Sequence, residues 1–292
     1  MPLSIFQIAS TFSLLSPALS APAFPRQLSN GTTLSPSDVD ANASQAAGGA
    51  STTLINGLLA AVVKLPGIGM SVGALSDLTT AFTADLAQTL GVDTTVSQAT
   101  CAETMVIFAR GTTEAGNVGL FAGPPFFQAL RDTMGAGAVS VQGVAYGATV
   151  EGFLQGGDPA GSATMASLVQ ATAQECPGAA LVMAGYSQGG QLVHNAAAML
   201  PEPTRAMISS VVIFGDPGRP APGRELGDGE LTRTDNGQPV SGIDAARTMV
   251  ICHPGDNICA GGDVILLPHL TYADAAVAAA AFVASRSRRA GR

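Results

Sequence analysis

Short apolar runs alternate with amphipathic segments through the last two thirds of the chain. The five runs that have the length of buried strands are residues 105–108, 139–144, 180–184, 211–214 and 249–251. The segments with helical spacing of apolar residues are roughly 121–134, 161–175, 189–200 and 272–286. Strands that alternate with helices form a parallel sheet that is covered on both faces. The pattern therefore predicts a three-layer α/β/α sandwich around a five-stranded parallel sheet.

A different pattern precedes this alternation. Residues 54–63 and 72–90 have the periodicity of helices. The apolar residues that would form one buried face of the second helix are Leu75, Leu78, Phe82, Leu86 and Leu90. We interpret residues 54–97 as a helical extension of a main domain that spans 98–287, with a basic tail at 288–292.

The first fifty residues have the character of targeting and linking segments. An apolar stretch leads to Ala18-Leu19-Ser20, which has small residues at the −3 and −1 positions before a signal-peptidase cut at Ala21. We therefore expect residues 1–20 to be a signal peptide and the mature protein to be secreted; a frayed amphipathic start is the alternative. Residues 21–53 are rich in Ser, Thr, Pro, Gly and Ala, which is typical of a flexible pro-segment or linker.

Composition narrows the classes of function. The 292 residues include only 13 Lys and Arg and have a net charge of −8, which argues against nucleic-acid binding because phosphate contacts need clustered cations. With 47% hydrophobic and 12% charged residues, the chain is not intrinsically disordered. After residue 20 no apolar run reaches the ~18 residues of a membrane helix, so we expect no integral membrane contact. Sequons at Asn30 and Asn42 are compatible with glycosylation.

The chain has four cysteines, an even number that is consistent with disulfide bonds in an exported protein. Three pairings are possible. Cys252 and Cys259 are close in sequence and flank a Pro-Gly turn, so we pair them, which leaves Cys101 with Cys176. A zinc site has less support, because the spacings contain no paired C-x-x-C units. No metal or other cofactor is implied.

The most specific motif is Gly185-Tyr186-Ser187-Gln188-Gly189, which matches G-x-S-x-G. An apolar strand precedes it and a helical segment follows it, and this is the context of a nucleophile elbow. The glycines leave room for a crowded turn, and the helix N-terminus favours an anion that develops beside Ser187. We therefore predict that Ser187 is a nucleophile; a βα turn with a capping serine is the alternative.

A nucleophilic serine needs a base and an acid. His194 lies in the same helical segment as Ser187, about 10 Å further along the helix axis, which is beyond hydrogen-bond reach. α/β-Hydrolases place nucleophile, acid and base in that order along the chain. Asp256 follows the fifth strand and His269 comes after it, so the order Ser187, Asp256, His269 is consistent. Asp216, which ends the fourth strand, is the rival acid.

Acyl transfer also needs two hydrogen-bond donors for the oxyanion of the tetrahedral intermediate. The backbone N–H of Gln188, the residue after the nucleophile, is the usual first donor. The second should come from the loop after the first strand, Arg110 to Glu114, where the N–H and the hydroxyl of Thr112 are the candidates. A simple turn is the alternative interpretation of this loop.

Together these motifs resemble those of fungal cutinases, which are serine esterases that cleave the plant polyester cutin. The resemblance covers about residues 98–287, and its parts are residues 109–117, Ala145-Tyr146, 185–190, Cys252 to Cys259, and Pro268-His269-Leu270 with Tyr272. It implies a small, lidless α/β-hydrolase fold with both disulfides. The roles that it implies are nucleophile for Ser187, acid for Asp256, base for His269, and oxyanion hole for Thr112 and Gln188. It also implies a polyester or lipid-like ester substrate, and we expect a monomer.

The sequence departs from the family pattern at the oxyanion loop. Thr112 stands where many cutinases have serine, so the hydroxyl is kept on a stiffer side chain. An asparagine that supports this loop in some members is replaced near Gly152-Phe153. A polymer needs an open, shallow cleft, and the residues that we expect to form its apolar rim are Val150, Phe153, Ile265 and Leu266.

The sequence is also compatible with two functions other than that of a cutinase. An acetylxylan esterase would share the elbow and much of the fold, although the apolar residues that flank His269 favour a lipid-like substrate. A non-catalytic secreted binding protein on an esterase fold is the alternative of another class. The presence of all three triad residue types argues against it.

Overall fold

The computed structural model describes residues 70–72, 77–96, 100–217 and 240–290. The predicted signal peptide 1–20, the linker 21–53, the sequons at Asn30 and Asn42 and the predicted helix 54–63 lie outside the described residues. All of the described residues belong to the unit that spans Ala41–Arg292.

Parallel strands form the central sheet. The strands, in chain order, are β1 (Met70–Ser71), β2 (Thr104–Ala109), β3 (Val139–Gly143), β4 (Ala180–Tyr186), β5 (Ile208–Phe214), β6 (Thr248–Ile251) and β7 (Val264–Ile265). Five of them, β2 to β6, pair in parallel in the spatial order β3-β2-β4-β5-β6. They coincide with the five predicted apolar runs. The three inner strands are buried along their whole length, because helices cover both of their faces.

Helices cover the two faces of this sheet. The helices are α1 (Asp77–Leu90), α2 (Gly123–Met134), α3 (Val150–Leu154), α4 (Pro159–Glu175), α5 (Gln188–Met199), α6 (Glu202–Met207), α7 (Leu267–Leu270) and α8 (Ala276–Ala290). Alternate residues of β2 point to opposite faces. Val106 and Phe108 pack in the apolar layer that includes α2 and α8, whereas Met105 and Ile107 pack in the layer that includes α4 and α5. The three-layer sandwich is confirmed.

The N-terminal part differs from its prediction in two ways. Helix α1 lies within the predicted range 72–90, and Leu86 is buried, but Phe82 is 43% exposed, so the predicted buried face is wrong at that position. Leu75 and the side chain of Leu78 lie outside the described residues. Strand β1, which no pattern predicted, pairs antiparallel with β7, with Met70 opposite Ile265.

The C-terminal segment begins differently from its prediction. Residues Tyr272–Ala275 form a 3₁₀ turn, and α8 begins after it and continues to Ala290, through part of the predicted basic tail. Within the described ranges, no helix has both the length and the apolar character needed to cross a bilayer.

Candidate active site

The turn between β4 and α5 holds Ser187 in a strained backbone conformation. Its φ of 53° lies in the left-handed region, which costs a non-glycine residue on the order of 1–3 kcal/mol. A Cβ on Gly185 or Gly189 would overlap backbone atoms, those of Ala109 in the second case, so only glycine allows this turn. The N–H of Ser187 donates to the carbonyl of Phe214 (2.9 Å). Neighbouring strands therefore fix the serine at the carboxyl edge of the sheet.

Ser187, His269 and Asp256 form one hydrogen-bonded chain. His269 Nε2 lies 3.0 Å from Ser187 Oγ, and His269 Nδ1 lies 2.8 Å from Asp256 Oδ2. The three residues are 4%, 1% and 3% exposed, respectively. This geometry allows the imidazole to take a proton from the serine hydroxyl while the carboxylate accepts a hydrogen bond from its other nitrogen.

Two further donors keep Asp256 ionised. Burial alone would raise the pKa of Asp256, but hydrogen bonds from His269, Tyr272 and the N–H of Ile258 bring the pKa below its ordinary value. The Tyr272 hydroxyl donates to Asp256 Oδ2 at 2.6 Å, and the Ile258 N–H donates to Oδ1 at 3.0 Å. In the sequence, Tyr272 stands out only as part of the family resemblance. Its position three residues after His269, on the segment that follows α7, is the sequence feature that could have indicated a place beside the triad.

The segment that carries the predicted base, residues 268–274 (the base segment), is anchored to the elbow turn. Tyr186, the second residue of the G-x-S-x-G motif, donates its hydroxyl to the backbone carbonyl of His269 (2.7 Å). The two rings also lie 5.1 Å apart between centroids. The motif thus contains both Ser187 and a tyrosine whose hydroxyl holds the histidine that contacts Ser187.

The rival acid has a different partner. The Asp216 carboxylate lies 3.0 Å from Nε2 of His194, the histidine on the nucleophile helix. Asp216 is fully buried and the His194 side chain is 15% exposed. Of the two candidate carboxylates, Asp256 is the one whose hydrogen bond to His269 is observed.

Both predicted disulfides are present. Cys101 bonds to Cys176 and thereby joins the residues just before β2 to the end of α4. Cys252 bonds to Cys259 and closes the loop that carries Asp256. This loop, which we name the acid loop (252–259), contributes a carboxylate whose position is restrained at both ends.

A buried carboxylate organises the loop after β2. Glu114 accepts hydrogen bonds from the backbone N–H groups of Gly111 (2.7 Å), Leu120 (2.8 Å) and Phe121 (2.9 Å). Burial raises the pKa of Glu114, although these donors and Arg110 oppose the shift. No sequence pattern indicated this role for Glu114. The loop is therefore held by hydrogen bonds to a buried side chain, which a simple turn would not require.

The side chain of Gln188 supports Thr112. Its Nε2 donates to Thr112 Oγ1 at 2.9 Å and to the carbonyl of Thr149 at 2.8 Å. An amide nitrogen only donates, so the Thr112 hydroxyl is the acceptor and its own hydrogen remains available for another acceptor. Gln188 thus holds the loop after β2 against the loop before α3.

Two residues of the predicted apolar rim are buried. Phe153 and Ile265 are buried in a small apolar cluster with Val72 and Ile258, so little of either side chain is exposed. The cause is the pairing of β1 with β7, which brings Val72 against them and which no sequence pattern indicated.

The other two predicted rim residues remain accessible. Val150 and Leu266 are partly exposed. Leu154, which sequence reasoning did not name, follows Phe153 at the end of α3 and is 65% exposed. The apolar residues of this region with appreciable exposed surface are therefore Val150, Leu154 and Leu266.

Comparison with known proteins gives concordant results. The Cutinase family model matches residues 100–287. The chain is 59% identical to Cutinase pbc1 of Pyrenopeziza brassicae over 219 residues, which are 75% of this chain and 100% of that protein. It is 56% identical to a cutinase of Botryotinia fuckeliana over 183 residues, 63% of this chain and 82% of that one.

A solved structure agrees in fold as well. The structure of Trichoderma reesei cutinase in complex with a C11Y4 phosphonate inhibitor is similar with a TM-score of 0.65 and 42% sequence identity, covering 80% of this chain and 98% of that chain. The fold, the matched domain and these identities lead to one conclusion: the chain belongs to the cutinase family of carboxylic ester hydrolases.

Proposed function

We propose that the chain hydrolyses esters through an acyl-enzyme on Ser187, with His269 as the base and Asp256 as the acid. The observation that carries this proposal is the hydrogen-bonded chain of these three side chains. Ser187 Oγ attacks the ester carbonyl carbon while His269 Nε2 accepts the hydroxyl proton. The imidazolium then protonates the departing alkoxide. Water, deprotonated by the same imidazole, attacks the acyl-enzyme, which releases the acid and restores Ser187.

The oxyanion of each tetrahedral intermediate would be bound beside the elbow. We assign the backbone N–H groups of Gln188 and Thr112 and the hydroxyl of Thr112 as its donors. The N-terminus of α5, which begins at Gln188, adds a favourable dipole. The hydrogen bond from Gln188 Nε2 to Thr112 Oγ1 supports this assignment, because it leaves the threonine hydrogen available for the oxyanion.

The substrate class that we propose is cutin-like polyester together with short- and medium-chain acyl esters. Exposed or partly exposed apolar residues, Val150, Leu154 and Leu266, would contact the acyl chain. The relatives at 59% and 56% identity carry the name cutinase. A phosphonate is bound in the Trichoderma reesei structure, and its tetrahedral phosphorus resembles the intermediate that we describe.

We propose further that the chain is exported, with residues 1–20 as its signal peptide, 21–53 as a linker and 54–97 as an extension of the catalytic domain. The two disulfides support export, because such bonds persist in oxidising compartments.

A covalent label tests the nucleophile directly. An alkyl p-nitrophenyl phosphonate is expected to release one equivalent of p-nitrophenol and to leave the phosphonyl group on Ser187, as located by peptide mass spectrometry. The Ser187→Ala variant should take up no label under the same conditions. A stable label on any other residue would contradict the proposal.

The substrate class is tested by a comparison of kcat/KM values. Medium-chain p-nitrophenyl esters and a cutin-like polyester are expected to be hydrolysed at least about tenfold more efficiently than acetylated xylan, because each acyl methylene that reaches an apolar surface adds transition-state binding. A strong preference for acetylated xylan would instead identify an acetylxylan esterase.

A substitution of the Gln188 side chain tests the oxyanion loop and leaves the backbone N–H of residue 188 in place. Gln188→Leu is expected to lower kcat by about 10- to 100-fold with little change in KM, because the Thr112 hydroxyl loses its orientation. Gln191→Leu, one turn further along α5, is the matched control and should have a small effect. In a Thr112→Val background the Gln188 substitution should cost little more, and additive effects would contradict this coupling.

A further inference from the structure

The imidazole of His253 is held between two acceptors. Its Nδ1 lies 2.8 Å from the carbonyl oxygen of Pro268, and its Nε2 lies 3.0 Å from Asp274 Oδ1. A carbonyl and an ionised carboxylate only accept hydrogen bonds, and a neutral imidazole has one N–H to donate. Only the imidazolium, with two N–H groups, satisfies both partners at once.

The same ring connects two segments that carry the triad. His253 belongs to the acid loop, three residues before Asp256. Pro268 directly precedes His269, and Asp274 lies in the 3₁₀ turn that follows α7. The protonated ring therefore bridges the acid loop to both sides of the base segment.

Tyr272 links this bridge to the triad acid. The His253 ring stacks on the Tyr272 ring with centroids 4.2 Å apart and planes inclined by 16°. The backbone N–H of His253 donates to the Tyr272 hydroxyl (3.1 Å), and that hydroxyl donates to Asp256 (2.6 Å). A displacement of the His253 ring would thus shift Tyr272 and, through its hydroxyl, the Asp256 carboxylate that hydrogen-bonds His269.

We propose that His253, in its protonated form, is a positioning residue for the reaction, which holds the base segment against the acid loop and loosens it on deprotonation. This inference rests on the proposed function, because it assigns His253 to the alignment of the Asp256–His269 pair. His253 acts through Pro268 and Tyr272 and needs no contact with the reacting atoms.

The electrostatic surroundings favour the charged ring. Burial would lower the pKa of His253, but its hydrogen bonds to Asp274 and Pro268 and the charges of Asp274 and Asp256 raise the pKa above its ordinary value. The groups that face the ring are the Asp274 carboxylate, Tyr272, the Thr271 hydroxyl at 3.3 Å and, on its own loop, Asp256. Because the pKa is raised, the bridge is complete below it and is lost as the pH rises through it.

The pH dependence of kcat/KM tests the proposal. Besides the acidic limb that general-base catalysis gives, loss of the bridge should give a separate fall of about tenfold on the alkaline side, the effect of one hydrogen bond to a charged group. His253→Gln should remove this second fall and leave kcat/KM at the wild-type alkaline value across the neutral range. Asp274→Asn, which retains the histidine, should move the alkaline fall to lower pH.

A matched carboxylate serves as the control. Asp132 on α2 is exposed and hydrogen-bonds Gln128, so Asp132→Asn should leave both limbs unchanged. An alkaline limb that is the same in wild type, His253→Gln and Asp274→Asn would overturn the proposal.

A direct titration separates this inference from the proposed function. The chain has three histidines, so their ¹³Cε1 signals can be followed by NMR in the Ser187→Ala variant and assigned with His253→Gln. His253 is expected to titrate above the ordinary value of about 6.5, and at lower pH after Asp274→Asn. A midpoint at or below the ordinary value overturns the inference. Retained activity in Ser187→Ala instead overturns the proposed function, whatever the His253 midpoint.

Discussion

Ser187→Ala is expected to lower kcat by about 10⁵-fold or more, with KM changed little, because the attacking oxygen is lost while the binding surface is kept. Any residual rate would come from the oxyanion donors and from substrate binding alone. Steady-state kinetics with a medium-chain p-nitrophenyl ester measure the change. The burst of product that reports acyl-enzyme formation should disappear in the same variant.

The strained turn supplies a control for folding. Alanine at position 187 keeps the positive φ and its strain, so Ser187→Ala should unfold at nearly the wild-type temperature. Ser187→Gly relieves the left-handed strain and is expected to be inactive yet about 1 kcal/mol more stable. Hydrolysis by Ser187→Ala above about one per cent of wild type, in protein of verified sequence, would require a different nucleophile.

Much of the fold and of the triad could be predicted because short stretches of local sequence indicate both. The apolar runs predict the strands, and the glycines on both sides of Ser187 predict the elbow turn. Parallel strands bring their carboxyl ends to one edge of the sheet. Ser187 follows β4, Asp256 follows β6, and His269 lies in the short helix after β7, so their chain order limits the possible assignments. Their convergence could be predicted without knowledge of any single contact.

The contacts that support the triad could not be predicted in this way. Tyr272 reaches Asp256, and Gln188 reaches Thr112, through side-chain directions that depend on how separate loops pack. The burial of Phe153 depends on Val72, whose segment lies about eighty residues earlier in the chain and has no strand pattern. The sequence pattern indicates which elements form, whereas these contacts depend on non-local packing that has no periodicity to reveal it.

Asp256→Asn is expected to lower kcat by about 10⁴-fold with only a small change in KM. The amide has no charge to stabilise the imidazolium that forms when Ser187 attacks. If its NH₂ group faces His269 Nδ1, it also favours the tautomer whose proton lies on Nε2, where the serine proton must go. Tyr272→Phe removes one of the donors that lower the pKa of Asp256, and it should cost only about tenfold because the carboxylate remains.

The rival carboxylate gives the decisive control for this prediction. Asp216→Asn should alter stability, because Asp216 is buried against His194, but it should leave the kcat of the folded protein within a few-fold of wild type. The reverse pattern, with an active Asp256→Asn and an inactive but folded Asp216→Asn, would identify Asp216 as the acid. Kinetics of both variants distinguish these outcomes when kcat is referred to the folded fraction measured by circular dichroism, because unfolded protein is then not counted as inactive enzyme.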